Sequence, residues 1–222
     1  MAEFSVLLGL VDYLNPLLYL CFFLVLILAL RKRIPKLHWI CLLIGGCITL
    51  TYGFIIPTYK VLCGVGVFTF AMPEWAVFGT MIGFLSAGLA LLIASYRIFT
   101  KKNLLLLLTY IVAAVIVILL LTVVHAKYNT IAVGFATIGL YLLYISVLGY
   151  AIREKRRLPL ACIIFSMVMT AALSMVGIFG DMSLASLHWF TQIANICCQA
   201  SLAAGTYLLF RKKEQVTECS AE

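Results

Sequence analysis

Charge is what this sequence has least of. Charged side chains make up 11% of its 222 residues, and only eight are acidic, where a soluble domain carries about 25% charged residues. With 65% hydrophobic residues and a mean hydropathy of +1.16, the chain has too few polar groups to cover a surface in water, so lipid is part of its solvent. Histidine is scarce too, with three in the chain. His38, His125 and His188 fall near the ends of hydrophobic runs, which excludes the deep His pairs of a haem-bearing bundle. No lysine lies between Ser183 and Arg211, so the last run has no amine for a retinal Schiff base. Cysteine is present without a pattern. Cys21, Cys41, Cys47, Cys162, Cys197 and Cys198 lie inside hydrophobic runs, Cys63 in an outer loop and Cys219 in the tail. A thiol in such a run behaves as a small apolar side chain, and neither a disulfide framework nor a CxxC zinc motif is present.

What is there is a succession of hydrophobic runs. A helix needs about 20 apolar residues to cross a bilayer core. Residues 4–30, 38–58, 75–98, 103–125, 130–151, 158–180 and 184–210 meet that requirement. Their Leu, Ile, Val and Phe content is continuous rather than alternating, which predicts helices and not the strands of a barrel. The expected fold is all-α, a polytopic bundle of seven transmembrane helices over residues 1–213, with a disordered cytoplasmic tail at 214–222. The first run has no preceding Lys or Arg and is longer than a signal-peptide core, so it is expected to stay as a signal anchor.

The formal net charge of +8 suggests a polyanion partner until the basic residues are placed. Fourteen of the sixteen form clusters after the first, third, fifth and seventh runs, from Arg31–Lys36 to Arg211–Lys213; the other two are Lys60 and Lys127. That alternation is the positive-inside pattern. It predicts an N-terminus outside and a C-terminus in the cytoplasm, with no nucleic-acid partner. The membrane itself, bacterial inner or eukaryotic plasma or endomembrane, is left open. Arg33, Pro35 and Gly53 match Arg157, Pro159 and Gly177 at one offset, and Trp75 and Arg97 are spaced like Trp189 and Arg211. A three-plus-one-plus-three parallel repeat, over 1–98 and 130–213, would account for this. Gly79 and Gly83 have the GxxxG spacing that favours close helix contact within the bundle or in a homo-oligomer.

Polar residues at membrane depth are the candidate site residues, because an ionisable group in lipid costs several kcal/mol unless paired or hydrated. They gather in the outer half. Asp12 and Asn15 precede Pro16 in the first run, Glu74 opens the third and Asp181 lies in the turn before the last. His188, Gln192, Asn195 and Gln199 then descend the last run in steps of four, three and four, which keeps them on one helical face. Lipid would penalise that face severely, so it is expected to point into the bundle. Ser166, Thr170 and Ser174 form a milder stripe on the sixth run, and the two stripes are expected to line one polar seam.

The leading expectation is a protein that binds or moves a small solute or lipid through an outward-facing pocket, without a cofactor. Asp12, Asn15, His188, Gln192, Asn195 and Gln199 would carry it, with Asp181, Ser174, Thr170 and Glu74 in secondary positions. Asp12 and His188 would be the titratable pair, suited to proton coupling. In topology, and in carrying Asp181 and His188 near the last run, the chain resembles the alkaline ceramidases, metal-dependent intramembrane lipid hydrolases. It lacks their SxxxH and HxxxH patterns, which leaves too few ligands for a hydrolytic zinc. A structural or partner subunit, with its stripes serving only as interhelical hydrogen bonds, is the third reading.

Overall fold

The computed structural model describes residues 6–67, 74–95, 128–179 and 185–211, and every regular element among them is an α-helix. The elements are α1 (Val6–Asp12), α2 (Leu14–Leu30), α3 (Lys36–Gly64), α4 (Glu74–Ser95), α5 (Tyr128–Arg153), α6 (Arg157–Phe179) and α7 (Ala185–Phe210). With α1 and α2 read as one broken span, six spans among the described residues are long and apolar enough to cross a membrane. The expected span at 103–125 and the tail at 214–222 lie outside the described residues. Helix is what these sequences must form in lipid, because it satisfies every backbone N–H and C=O within the segment.

Two boundaries differ from the hydropathy reading, each for a local reason. The first span is split at Tyr13, four residues before Leu17 and three before Pro16. Pro16 has no N–H to give the Asp12 carbonyl, and its ring crowds that carbonyl, so the helix breaks there. The second span continues past residue 58 to Gly64 and reaches 29 residues, about 43 Å at 1.5 Å per residue. That extension carries Pro57 inside the helix and Lys60 on it.

The helices close into a ring. Neighbours in sequence pack together from α2 through α3, α4, α5, α6 and α7, and α7 returns to pack against α2. The first hairpin is antiparallel: Tyr13 bonds Thr58 at one end, and Trp39 Nε1 donates to the Ile27 carbonyl (2.8 Å) towards the other. Gly45 and Gly83 face each other between α3 and α4, where a Cβ on Gly45 would lie 2.6 Å from the Ala87 backbone nitrogen. Gly88 and Gly139 do the same between α4 and α5. The small residues expected to permit close approach therefore do so within one chain. Lipid gives no hydrophobic drive for helices to associate, so this backbone proximity and the van der Waals contact it allows hold the ring.

The fully buried core includes Phe22, Phe23, Leu26, Leu91, Tyr144 and Leu202. Large apolar side chains such as Leu28, Val168 and Ile193 face outward instead. In water they would form an extended apolar patch; on a membrane span they meet acyl chains. At the end carrying Arg31–Lys36, the Arg33 guanidinium stacks 5.6 Å over the Phe210 ring, and Arg156 donates to the Leu208 carbonyl (2.6 Å).

Replacing Gly139 with Leu should push α4 and α5 apart, since its Cβ would sit 2.5 Å from the Leu85 backbone nitrogen. Overpacking of this kind costs about 1–3 kcal/mol. Thermal unfolding of the purified protein in detergent should show a lower transition for Gly139→Leu and an unchanged one for Ile93→Leu, a substitution on the outward face.

Candidate functional site

A broken first span and a proline-bearing second one build the site. Pro16 in α2 and Pro57 in α3 each remove one backbone N–H, which deprives the carbonyls of Asp12 and Gly53 of their usual helical donors. Gly53 faces Pro16, and a Cβ there would lie 3.5 Å from the proline Cβ. Irregular backbone at this depth is tolerated where it lines a cavity rather than facing lipid. Here it does: Pro16, Gly53 and Pro57 all line a cleft of about 280 Å³. The cleft lies towards the end of the bundle opposite the Arg31–Lys36 cluster, among α1, α2, α3, α4 and α7.

Five of the six primary candidates from the sequence meet in this cleft. Asp12, Asn15, Gln192, Asn195 and Gln199 all line it. Asn15 is the hub. Its Nδ2 donates to Asp12 Oδ1 (3.2 Å) and to Gln192 Oε1 (3.1 Å), joining residues 177 positions apart in the chain. Deeper in, Gln199 Nε2 donates to Asn195 Oδ1 (3.0 Å). Gln192 and Gln199 are two turns apart on α7, so the polar lining descends about 10 Å into the bundle.

His188 takes no part in the lining. It is half-buried one turn nearer the start of α7, and its carbonyl accepts the Thr191 hydroxyl (2.9 Å). The partner of Asp12 is Lys60, whose ammonium forms an ion pair with Oδ2. The Asp12–His188 pair expected from the sequence is thus replaced by an Asp12–Lys60 pair. The reason is the length of α3, which carries Lys60 up beside the break in the first span. Asp12 is 5% exposed and Lys60 15% by side chain, so the pair is largely withdrawn from water and depends on its own geometry. A signal for Lys60 was present in the sequence: it is one of two basic residues outside the terminal clusters, on a run whose hydrophobicity continues to residue 67. Tyr19, Thr49 and Phe84 also line the cleft without having been singled out.

Ser166, Thr170 and Ser174 are not among the residues that line this cleft. On α6, Ser166 Oγ donates to the Cys198 carbonyl (2.7 Å), and the Cys198 thiol donates back to the Ser166 carbonyl (3.1 Å). The Tyr144 hydroxyl lies 2.7 Å from Ser166 Oγ and 2.9 Å from Thr170 Oγ1, while Thr170 is 3.0 Å from the thiol. Ser174 turns back to the Thr170 carbonyl (2.9 Å). Cys198, read from the sequence as an apolar filler, is the centre of this second cluster. Glu74 is the first residue of α4; its side chain and Asp181 lie outside the described residues. Among the described residues no three His, Cys, Asp or Glu side chains are grouped to hold a metal ion.

No family model, curated protein or solved structure matches this chain. The site must therefore be read from its own chemistry: an ion pair at the mouth, amides along the wall, and apolar side chains such as Leu50, Ile56 and Phe84 between them.

The ion pair should show the asymmetry of buried charges. Lys60→Met leaves the Asp12 carboxylate without its partner, at a cost of about 3–5 kcal/mol. The double variant Asp12→Asn/Lys60→Met should recover most of that loss. A double-mutant cycle followed by thermal unfolding checks it; a double variant as unstable as the sum of the singles would show that the two charges do not act on each other.

Proposed function

We propose that this chain is a seven-span membrane protein, N-terminus outside and C-terminus in the cytoplasm, which binds a small polar solute in the Asp12–Lys60 cleft and passes it across the bilayer. The observation that carries the reading is the Asn15–Gln192 contact. It joins the first and last spans through polar groups that lipid cannot solvate, beside a cavity large enough for a small molecule. Small-molecule sites have this form, a mostly apolar concavity with a few convergent polar groups, and polar residues within a membrane span mark solute pathways. In the same reading the membrane is crossed with the cleft open to the outside, since the cleft lies opposite the basic clusters that stay in the cytoplasm.

The seventh crossing has independent support. α4 and α5 pack in parallel, with Gly88 against Gly139 and Ser95 Oγ 3.4 Å from the Tyr150 hydroxyl. Ser95 ends its helix and Tyr150 lies near the end of the next, so the two run in one direction, which supports a crossing by the apolar run 103–125 of the sequence between them. The first and last spans also run in parallel, Asn15 beside Gln192 and Arg33 beside Phe210, as an odd number of crossings requires. The flanking triplets, α1/α2 to α4 and α5 to α7, then share one direction, in keeping with a three-plus-one-plus-three repeat.

Water access to the cleft is the measurable consequence. In a Cys63→Ser background expressed in intact cells, Gln192→Cys should react from outside with a membrane-impermeant thiol reagent. Ile193→Cys, on the outward apolar face of the same helix, should not. Equal labelling at both positions, or at neither, would remove the water-filled site.

A further inference from the structure

We infer that the solute is a zwitterionic amino acid with an uncharged, hydrogen-bonding side chain, held by its charged end beside Lys60 and Asn15 and by its side chain at Gln199. The inference rests on the solute-binding reading above and specifies the chemistry of the same cleft.

Charge comes first. Asp12 and Lys60 neutralise each other within the cleft, so the lining offers no surplus charge of either sign. A ligand with net charge would leave that charge uncompensated in a site of low dielectric, at several kcal/mol per ion. A net-neutral ligand avoids this. A zwitterion does so while its carboxylate still uses Lys60.

The hydrogen-bond inventory then says which end goes where. Asn15 Oδ1 is buried and accepts no hydrogen bond among the described residues. Its orientation is set by the opposite edge of the amide, because Nδ2 faces the Asp12 carboxylate, which can only accept. That leaves a carbonyl oxygen to accept at this level of the cleft. An ammonium has three N–H donors and suits this group. Lys60 supplies the opposite need: of its three N–H donors, the ion pair with Asp12 uses one. A carboxylate beside it makes a charge-assisted bond, roughly twice as strong as a neutral one.

The floor of the cleft requires something else. Gln199 is 3% exposed, and its Oε1 likewise accepts no hydrogen bond among the described residues. Its Nε2 is committed to Asn195 and faces the Tyr19 hydroxyl, so the oxygen is the atom left to accept from a ligand. No charged residue stands near it in the lining, which makes the donor neutral: an amide N–H or a hydroxyl. Gln192 is level with Asn15, and Gln199 is about 10 Å further along α7. A side chain that extends down from an α-carbon at the level of Asn15 points towards that oxygen.

Equilibrium binding to the wild-type protein in lipid nanodiscs tests each part with defined probes. L-serine, L-threonine, L-asparagine and L-glutamine make the first panel, and at least one should bind saturably. For an amide-bearing ligand the comparison is L-glutamine against L-norleucine, which lacks the polar tail, and glutaramate, which lacks the ammonium. Each loss should weaken binding about tenfold to a hundredfold, the range expected when a buried hydrogen-bonding group is left unpaired. Glycine betaine, zwitterionic but without an N–H, should not bind. Gln199→Met, checked for unchanged thermal unfolding, should reduce the preferred amino acid to the affinity of its apolar analogue. Norleucine or glutaramate binding as tightly as glutamine, or betaine binding at all, overturns the assignment. If no amino acid binds while Gln192→Cys is still labelled from outside, the amino-acid assignment falls and the water-filled site stands. If labelling fails as well, both fall.

Discussion

Lipid offers no hydrogen-bond partner, and the structure follows from that single restriction. A polar side chain of a span is costly in acyl chains and cheaper inside the bundle, so the polar residues bias which faces of the helices meet. The Asn15–Gln192 bond draws the last span to the first and closes the ring. The same restriction makes a broken helix informative. Each proline in a span leaves a carbonyl without its donor, and Pro16 and Pro57 both face the cleft rather than acyl chains. Prolines and cleft are one feature: both spans place their proline where the interior is wide enough to tolerate a missing helical bond.

The bundle handles its buried polar groups in two ways. Around Cys198 they are saturated, with Tyr144, Ser166 and Thr170 giving and receiving among themselves and the backbone. Such a cluster stitches α5, α6 and α7 together and leaves nothing to offer a ligand. The cleft is different. It contains an ion pair and a chain of amides, yet Asn15 and Gln199 each keep a buried carbonyl oxygen without a donor among the described residues. An unmade bond of this kind costs about 1–3 kcal/mol. Thr206 Oγ1 and His38 Nδ1, outside the cleft, are likewise unpartnered among the described residues; the two amide oxygens differ in belonging to residues that line an open cavity.

Between the polar clusters, close contact comes from small residues. Gly45, Gly83, Gly88 and Gly139 let α3, α4 and α5 approach to backbone distance. The GxxxG spacing in α4 is thus consumed within the chain. These contacts also place α4 and α5 in parallel, which ties the arrangement of the ring to the residues between them.

Hydropathy alone determined the number and rough extent of the apolar runs, because the cost of burying charge in lipid acts on each segment separately. The periodicity of α7 determined which of its faces turns inward, since a helix has a fixed pitch and lipid rejects amides wherever the neighbours stand. That was enough to group Gln192, Asn195 and Gln199, and to set Asp12 and Asn15 apart. Pairing was another matter. Whether Asp12 meets His188 or Lys60, and whether Thr170 faces Gln192 or Cys198, depends on how far each helix extends and how it is rotated against its neighbour. Those quantities come from glycine contacts and proline breaks acting between segments distant in sequence. Tertiary packing alone decided them, because a hydrogen bond needs its partners within about 3 Å and no single helix carries that distance to another.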